Sequence, residues 1–176
     1  MKILITGGTK GLGLATARLF ATTDPGTARD PLTLYLGYRN DAVQAEKICA
    51  ELNAMGPGIR ARAMGADLSE ETGIGKLFDW VEADCQGKLD AYIHNAAATA
   101  FKPLAEIQSH HIDKTFNLTV KSFVLGVQRA ARLMSAAGGG SIVAVSGMDT
   151  LKAVPRHGLL GAAKAALETL VLYWAH

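Results

Sequence analysis

Residues 1–13 read Met1-Lys2-Ile3-Leu4-Ile5-Thr6-Gly7-Gly8-Thr9-Lys10-Gly11-Leu12-Gly13. Ile3–Thr6 is a short strand of buried character that runs straight into glycines at 7, 11 and 13. Glycine there permits a tight turn and lets backbone N–H groups approach an anion closely. Leu12–Ala21 reads as a helix, and its N-terminus adds the positive end of a dipole. Glycines alone are a weak signal, since flexible loops collect them. Between a first strand and a first helix they predict a pyrophosphate cradle made by Gly7, Thr9, Lys10, Gly11, Leu12 and Gly13.

The rest of the chain repeats the strand–helix alternation. A turn-rich insert, Thr22–Pro31, leads to a strand at Leu32–Tyr38. Asp41 is the predicted N-cap of a helix reaching about Asn53. A third strand is expected at Ile59–Met64, a third helix at Glu70–Gln86 and a fourth strand at Leu89–His94. A long helix, Ser109–Ser135, precedes a fifth strand at Ser141–Ser146, and a last helix runs from about Pro155 onward. Such alternation implies an α/β fold: a Rossmann-like, doubly wound parallel sheet with right-handed crossovers and helices on both faces. A ligand then sits at the carboxyl ends of the strands, beside the first.

Composition narrows the function classes. Of 176 residues, 49% are apolar and 19% charged, which fits a globular chain rather than a disordered one. A net charge of +2 gives no argument for nucleic acid or an anionic membrane, so any positive site is local. No apolar stretch reaches the ~18 residues of a membrane span, and no secretion signal is visible. Cys49 and Cys85 lack metal-ligand spacing and read as free, buried thiols of a cytoplasmic protein. The last helix ends at Tyr173-Trp174-Ala175-His176 without a stop signal, so the expectation is a single domain, 1–176, cut short at its C-terminal side.

The end of the second strand bears on cofactor choice. A carboxylate there usually receives a ribose 2′-hydroxyl. This chain instead has Tyr38-Arg39-Asn40 and no acid before Asp41. Arg39 offers a planar fork to a 2′-phosphate, and Lys10 adds a second cation. Together they predict NADP(H); the plainer reading is two solvated surface cations. Asp67-Leu68 follows the third strand, where Asp67 accepts from an adenine amino group, caps the next helix, or does both.

Thr6–Gly13, Asp67, His94-Asn95-Ala96-Ala97, Asn117, Ser146 and Lys164 stand in the order and spacing of the short-chain dehydrogenase/reductase family, and the resemblance spans nearly the whole chain. Within it the sequence looks most like the NADPH-dependent enoyl-acyl-carrier-protein reductases that carry tyrosine seven residues before lysine. The shared stretches are Asn95-Ala96-Ala97, Gly138-Gly139-Gly140-Ser141-Ile142-Val143 and Lys164-Ala165-Ala166-Leu167-Glu168. The resemblance implies strand order 3-2-1-4-5-6-7, with two strands and a substrate lid beyond His176. It implies hydride transfer from a nicotinamide to an enoyl thioester or a ketone, carrier-bound or polyketide-like. It also implies that Asn95 and Ala96 lie at the cofactor, that Lys164 holds the nicotinamide ribose, that Ser146 orients the substrate oxygen and that Asn117 holds a water in the proton path. A homodimer or homotetramer follows from the same likeness, through the long helix and the last one; simple core packing is the other use of their apolar surface.

The family's tyrosine is absent. The two positions it occupies are Leu160 and His157 here, and the four tyrosines lie elsewhere, at 35, 38, 92 and 173. Seven residues bring His157 back within ~20° of Lys164 on one helix face, and Pro155 suits a first helical turn. His157 is therefore the candidate proton donor, against the reading of an incidental polar residue in a non-catalytic nucleotide-binding sensor or partner subunit. His94 replaces the asparagine that usually precedes Asn95. His110 and His111 read as solvated, and no metal constellation emerges.

Overall fold

The computed structural model describes residues 1–176. Five strands form its sheet: β1 Lys2–Thr6, β2 Leu32–Tyr38, β3 Ile59–Gly65, β4 Ala91–His94 and β5 Ser141–Ala144. All pairings are parallel, in the order β3-β2-β1-β4-β5. The chain steps from β1 to one side for β2 and β3, then crosses to the other side for β4 and β5. That reversal opens a crevice at the carboxyl end of β1, where Ile5 pairs with Leu36 on one flank and Ile93 on the other.

Alternation along the strands divides the core between the two faces. Ile3, Ile5, Leu32, Leu34 and Leu36 pack on one side against α1 (Gly11–Thr23) and α2 (Ala42–Asn53). Leu4, Tyr35 and Tyr92 face the other side, against α3 (Glu71–Cys85) and α5 (Ser122–Ala136). Strands buried on both faces read as continuous apolar runs, as Ile3-Leu4-Ile5 does. The buried face of α1 carries only small residues, Gly13, Ala17 and Ala21, so its backbone lies close to the sheet. Asp41 caps α2 as expected, accepting from Gln44 N at 2.9 Å.

Several boundaries differ from the sequence reading. Helix α1 continues to Thr23, shortening the turn-rich insert, which is closed by an isolated bridge between Gly26 and Pro31. Leu89 is buried but precedes β4, and β5 ends at Ala144, so Ser146 lies in the loop beyond it. The expected long helix is three pieces: α4 (Ser109–Phe116), a π-helical turn (Asn117–Lys121) and α5. The wider turn sits where His94 Nε2 donates to the Thr119 carbonyl, 3.1 Å away. The last helix, α6, is Gly158–Trp174; Val154–His157 form a turn before it, with His157 N bonded to Val154 O at 3.1 Å. Pro155 is thus outside the helix. His157 is its N-cap rather than a residue of its first turn.

Candidate functional site

The turn after β1 is stitched to the turn after β4. Thr6 Oγ1 accepts from Asn95 N at 2.9 Å and Ala96 N at 3.0 Å. The Asn95 side-chain amide donates to Thr6 O at 2.8 Å and Gly7 O at 3.3 Å. Asn95 therefore acts on the cradle by holding the turn, with its amide spent on protein carbonyls. Gly13 is required by close approach: a Cβ there would lie 2.3 Å from Gly7 O. Gly11 has φ +54°, and space beside its Cα is open. It supplies the left-handed turn while leaving room for a ligand at the helix N-terminus.

Above this turn lies a cavity of ≈ 250 Å³ between the ends of β1, β2 and β4. Gly7, Thr9, Lys10, Arg39, Leu68 and Ala96 line it, six of the residues singled out in the sequence. Gly11, Leu12, Gly13, Asp67 and Asn95 do not line it. Lys10 and Arg39 are exposed and have no ion-pair partner, so both cations are free for an anion. Asp67 does not cap α3, whose N-cap is Glu70. Its carboxylate accepts from Ser69 Oγ at 2.7 Å and Ser69 N at 2.9 Å. The Ser69 hydroxyl is the main reason its carboxyl titrates below the usual range; the Arg39 and Lys114 charges assist. Tyr38, Asp41 and Gln44 also line the cavity and were missed as site residues; Asp41 was legible only as a cap.

The four candidate catalytic residues are less tightly grouped. Lys164 is buried on α6, and its ammonium donates to the Val145 carbonyl; burial draws its pKa down, with Asp149 opposing. Asn117 opens the π-helical turn, and its own carbonyl accepts from Ser122 N. Ser146 is exposed, and its hydroxyl donates to Glu168, which also accepts from Thr150 Oγ1 at 2.9 Å. It borders an opening of ≈ 360 Å³ shared with Leu167 and Leu172, away from the nucleotide cavity. His157 lines a third cavity, of ≈ 220 Å³, with its Nδ1 3.3 Å from Asp149 Oδ2 and its ring against Phe101. Asp149 escaped the sequence reading, because nothing in the spacing Asp149…His157 marks a pair.

His94 is fully buried. Nε2 donates to Thr119 O, so Nδ1 accepts from the Tyr92 hydroxyl at 3.0 Å and the ring is neutral. Burial, reinforced by the Lys164 charge, lowers its pKa to about 4. It ties β4 to the turn that begins at Asn117, a structural task no sequence feature announced.

Comparison with known proteins fits this architecture. The family described as short chain dehydrogenase matches residues 1–176. A 1-cyclohexenylcarbonyl-CoA reductase from Streptomyces collinus is 38% identical over 172 residues, covering 98% of this chain and 57% of that protein. A metagenomic short-chain oxidoreductase solved with NADP superposes with a TM-score of 0.87 at 25% identity, over 99% of this chain and 74% of the other. A short chain dehydrogenase from Burkholderia cenocepacia J2315, also solved with NADP, gives 0.78 at 27%, over 94% and 63%. The chain spans about three fifths of the length of the curated relatives it matches. Its sheet order, its glycine turn and the match along all 176 residues make one conclusion plain: this chain belongs to the short-chain dehydrogenase family.

Proposed function

We propose that this chain is the NADP(H)-binding domain, residues 1–176, of a reductase that delivers hydride to an enoyl thioester or a ketone. One observation carries the reading: the glycine turn opens into a cavity whose mouth holds two unpaired cations, Lys10 and Arg39. A pyrophosphate fits the helix N-terminus beside Gly11, and a 2′-phosphate fits between those cations. Bound there, NADPH supplies the hydride. Lys164 holds the nicotinamide ribose from its buried seat, and the His94-anchored turn fixes Asn117 for a water in the proton path. Ser146 reaches a substrate oxygen only after leaving Glu168.

The acceptor class draws support from the Streptomyces collinus relative, a reductase of an enoyl thioester. We place the protein in the cytoplasm as a homodimer or homotetramer paired through the α4–α5 segment and α6, acting on a small or carrier-bound substrate. No helix is long and apolar enough to cross a membrane. A second reading, a non-catalytic nucleotide sensor or partner subunit, is favoured by Leu160 at one tyrosine position and by the Ser146–Glu168 pair. The deciding experiment offers the full-length protein NADPH with enoyl thioesters and ketones. Cofactor binding with no consumption on any acceptor refutes the reductase.

A further inference from the structure

The missing tyrosine leaves the proton of the reduction without an obvious source, and the structure points to a pair that the sequence does not announce. His157 caps α6, and its Nδ1 lies 3.3 Å from Asp149 Oδ2. The Asp149 side chain is 6% exposed, whereas that of His157 is 36% exposed. Asp149 sits in the short 3-10 turn Met148–Thr150, between two glycines that leave it no slack. A Cβ at 147 would lie 2.5 Å from its Oδ1, and one at 161 would lie 2.6 Å from its carbonyl oxygen. The Phe101 ring packs against the imidazole, with ring centroids 4.8 Å apart and the planes tilted by 49°. The ring is thus held by a carboxylate and an aromatic face, and Nε2 has no protein partner.

We infer that His157 is the proton donor of this reductase and that Asp149 is its positioning residue. The inference rests on the reductase reading above. With Nδ1–H donating to Asp149, the second proton of the imidazolium is on Nε2, the nitrogen free to meet a substrate. The carboxylate is the group of opposite charge beside the ring, 3.3 Å from Nδ1. Lys102 from the loop after β4 and Arg156 in the adjoining turn line the same cavity. The acceptor enters the ≈ 220 Å³ cavity lined by His157, Asp149, Lys102, Leu104 and Val154. Hydride brings one electron pair to the β-carbon of an enoyl thioester, and the double-bond pair shifts through the α-carbon onto the thioester oxygen. The Nε2–H bond then breaks, its proton forms the new C–H bond at the α-carbon, and its electron pair stays on nitrogen. Solvent reprotonates the neutral imidazole.

The test compares the full-length parent with Asp149→Asn, Asp149→Glu, His157→Gln and His157→Phe. Readouts are the pH–rate profile, cofactor affinity, and NMR titration of the His157 ring without cofactor or substrate. His157→Phe and His157→Gln are expected to lose about 10²–10⁴-fold in kcat together with one titrating limb. Asp149→Asn keeps an acceptor for Nδ1–H but removes the charge. It is expected to shift that limb and the ring titration to lower pH, to cut kcat at neutral pH by about tenfold and to leave NADPH affinity unchanged. Asp149→Glu restores part of both. If His157→Phe turns over normally with the parent profile, solvent supplies the proton and the inference falls while the reductase stands. An unmoved limb and ring titration in Asp149→Asn overturn the role of Asp149. If the ring titration responds to Asp149→Asn but the parent consumes no NADPH on any acceptor, the pairing survives and the reductase reading falls, taking the donor role with it.

Discussion

Replacing Gly13 by alanine sets two effects against each other. Alanine is the better helix former, worth about 1 kcal/mol over glycine in a helix interior. The new Cβ, however, would lie 2.3 Å from Gly7 O and 2.7 Å from Asn95 Nδ2, where ordinary contact begins at 3.4 Å. Helix α1 or the turn must retreat by about 1 Å, and neither neighbour is the loose end of a side chain. Gly7 O is backbone, and Asn95 is held by Thr6 and Gly7. Overpacking of this kind costs about 1–3 kcal/mol, so net stability is expected to fall by up to about 2 kcal/mol. The larger consequence is at the cradle, where each charge-assisted N–H contact to a phosphate is worth about 1.5–3 kcal/mol. A shift that loosens one of them weakens NADPH binding about tenfold or more. Urea unfolding and a fluorescence titration with NADPH, run on the same preparation, measure the two effects separately. A Gly13→Ala protein that gains stability and binds NADPH like the parent would show that helix α1 does not press on Gly7 O, and the reasoning fails.

Arg39→Ala is expected to weaken NADPH binding about tenfold and leave NADH almost untouched, since only the former has a 2′-phosphate; parallel titrations check it, and equal losses for both refute the role. Lys164→Ala should abolish reduction while circular dichroism stays that of the parent, because alanine preserves α6; unchanged turnover with a confirmed substrate would sink it. His94 is neutral when folded, with a pKa of about 4, whereas an unfolded histidine takes up a proton below about 6.5. The unfolded state then binds more protons between those values. Stability is whole above pH 6.5 and is lost as pH falls to about 4, by roughly 3 kcal/mol, a slope that His94→Asn should flatten in urea midpoints measured across that range. Asp84→Ala removes the acceptor of the Tyr35 hydroxyl, 2.8 Å away, and of two arginines, Arg60 and Arg62. A loss of about 1–3 kcal/mol is expected from the stranded buried phenol, and an unchanged melting temperature would argue against it.

The order of strands and helices, the glycine turn and the cations at 10 and 39 were legible in the linear chain, because each depends on local spacing. A strand running into glycine and then a helix is a contiguous pattern, and a parallel sheet buried on both faces writes itself as unbroken apolar runs. The strand order came from the family resemblance, and the five strands present follow it. What needed the folded molecule were partnerships across distance. His94 looked like a stray substitution; burial beside Tyr92 and Thr119 makes it the anchor of a π-helical turn inside what read as one long helix. Ser146 and Lys164 are on record in the sequence, but their hydrogen-bond partners, Glu168 and the Val145 carbonyl, are not. His157 was placed in a first helical turn from Pro155, whereas the turn at Val154–His157 makes it the cap. Asp149 carried no signal at all. Its importance comes from the fold of the segment between β5 and α6, which brings a carboxylate eight residues upstream against the imidazole, and no periodicity encodes a contact made by an irregular turn.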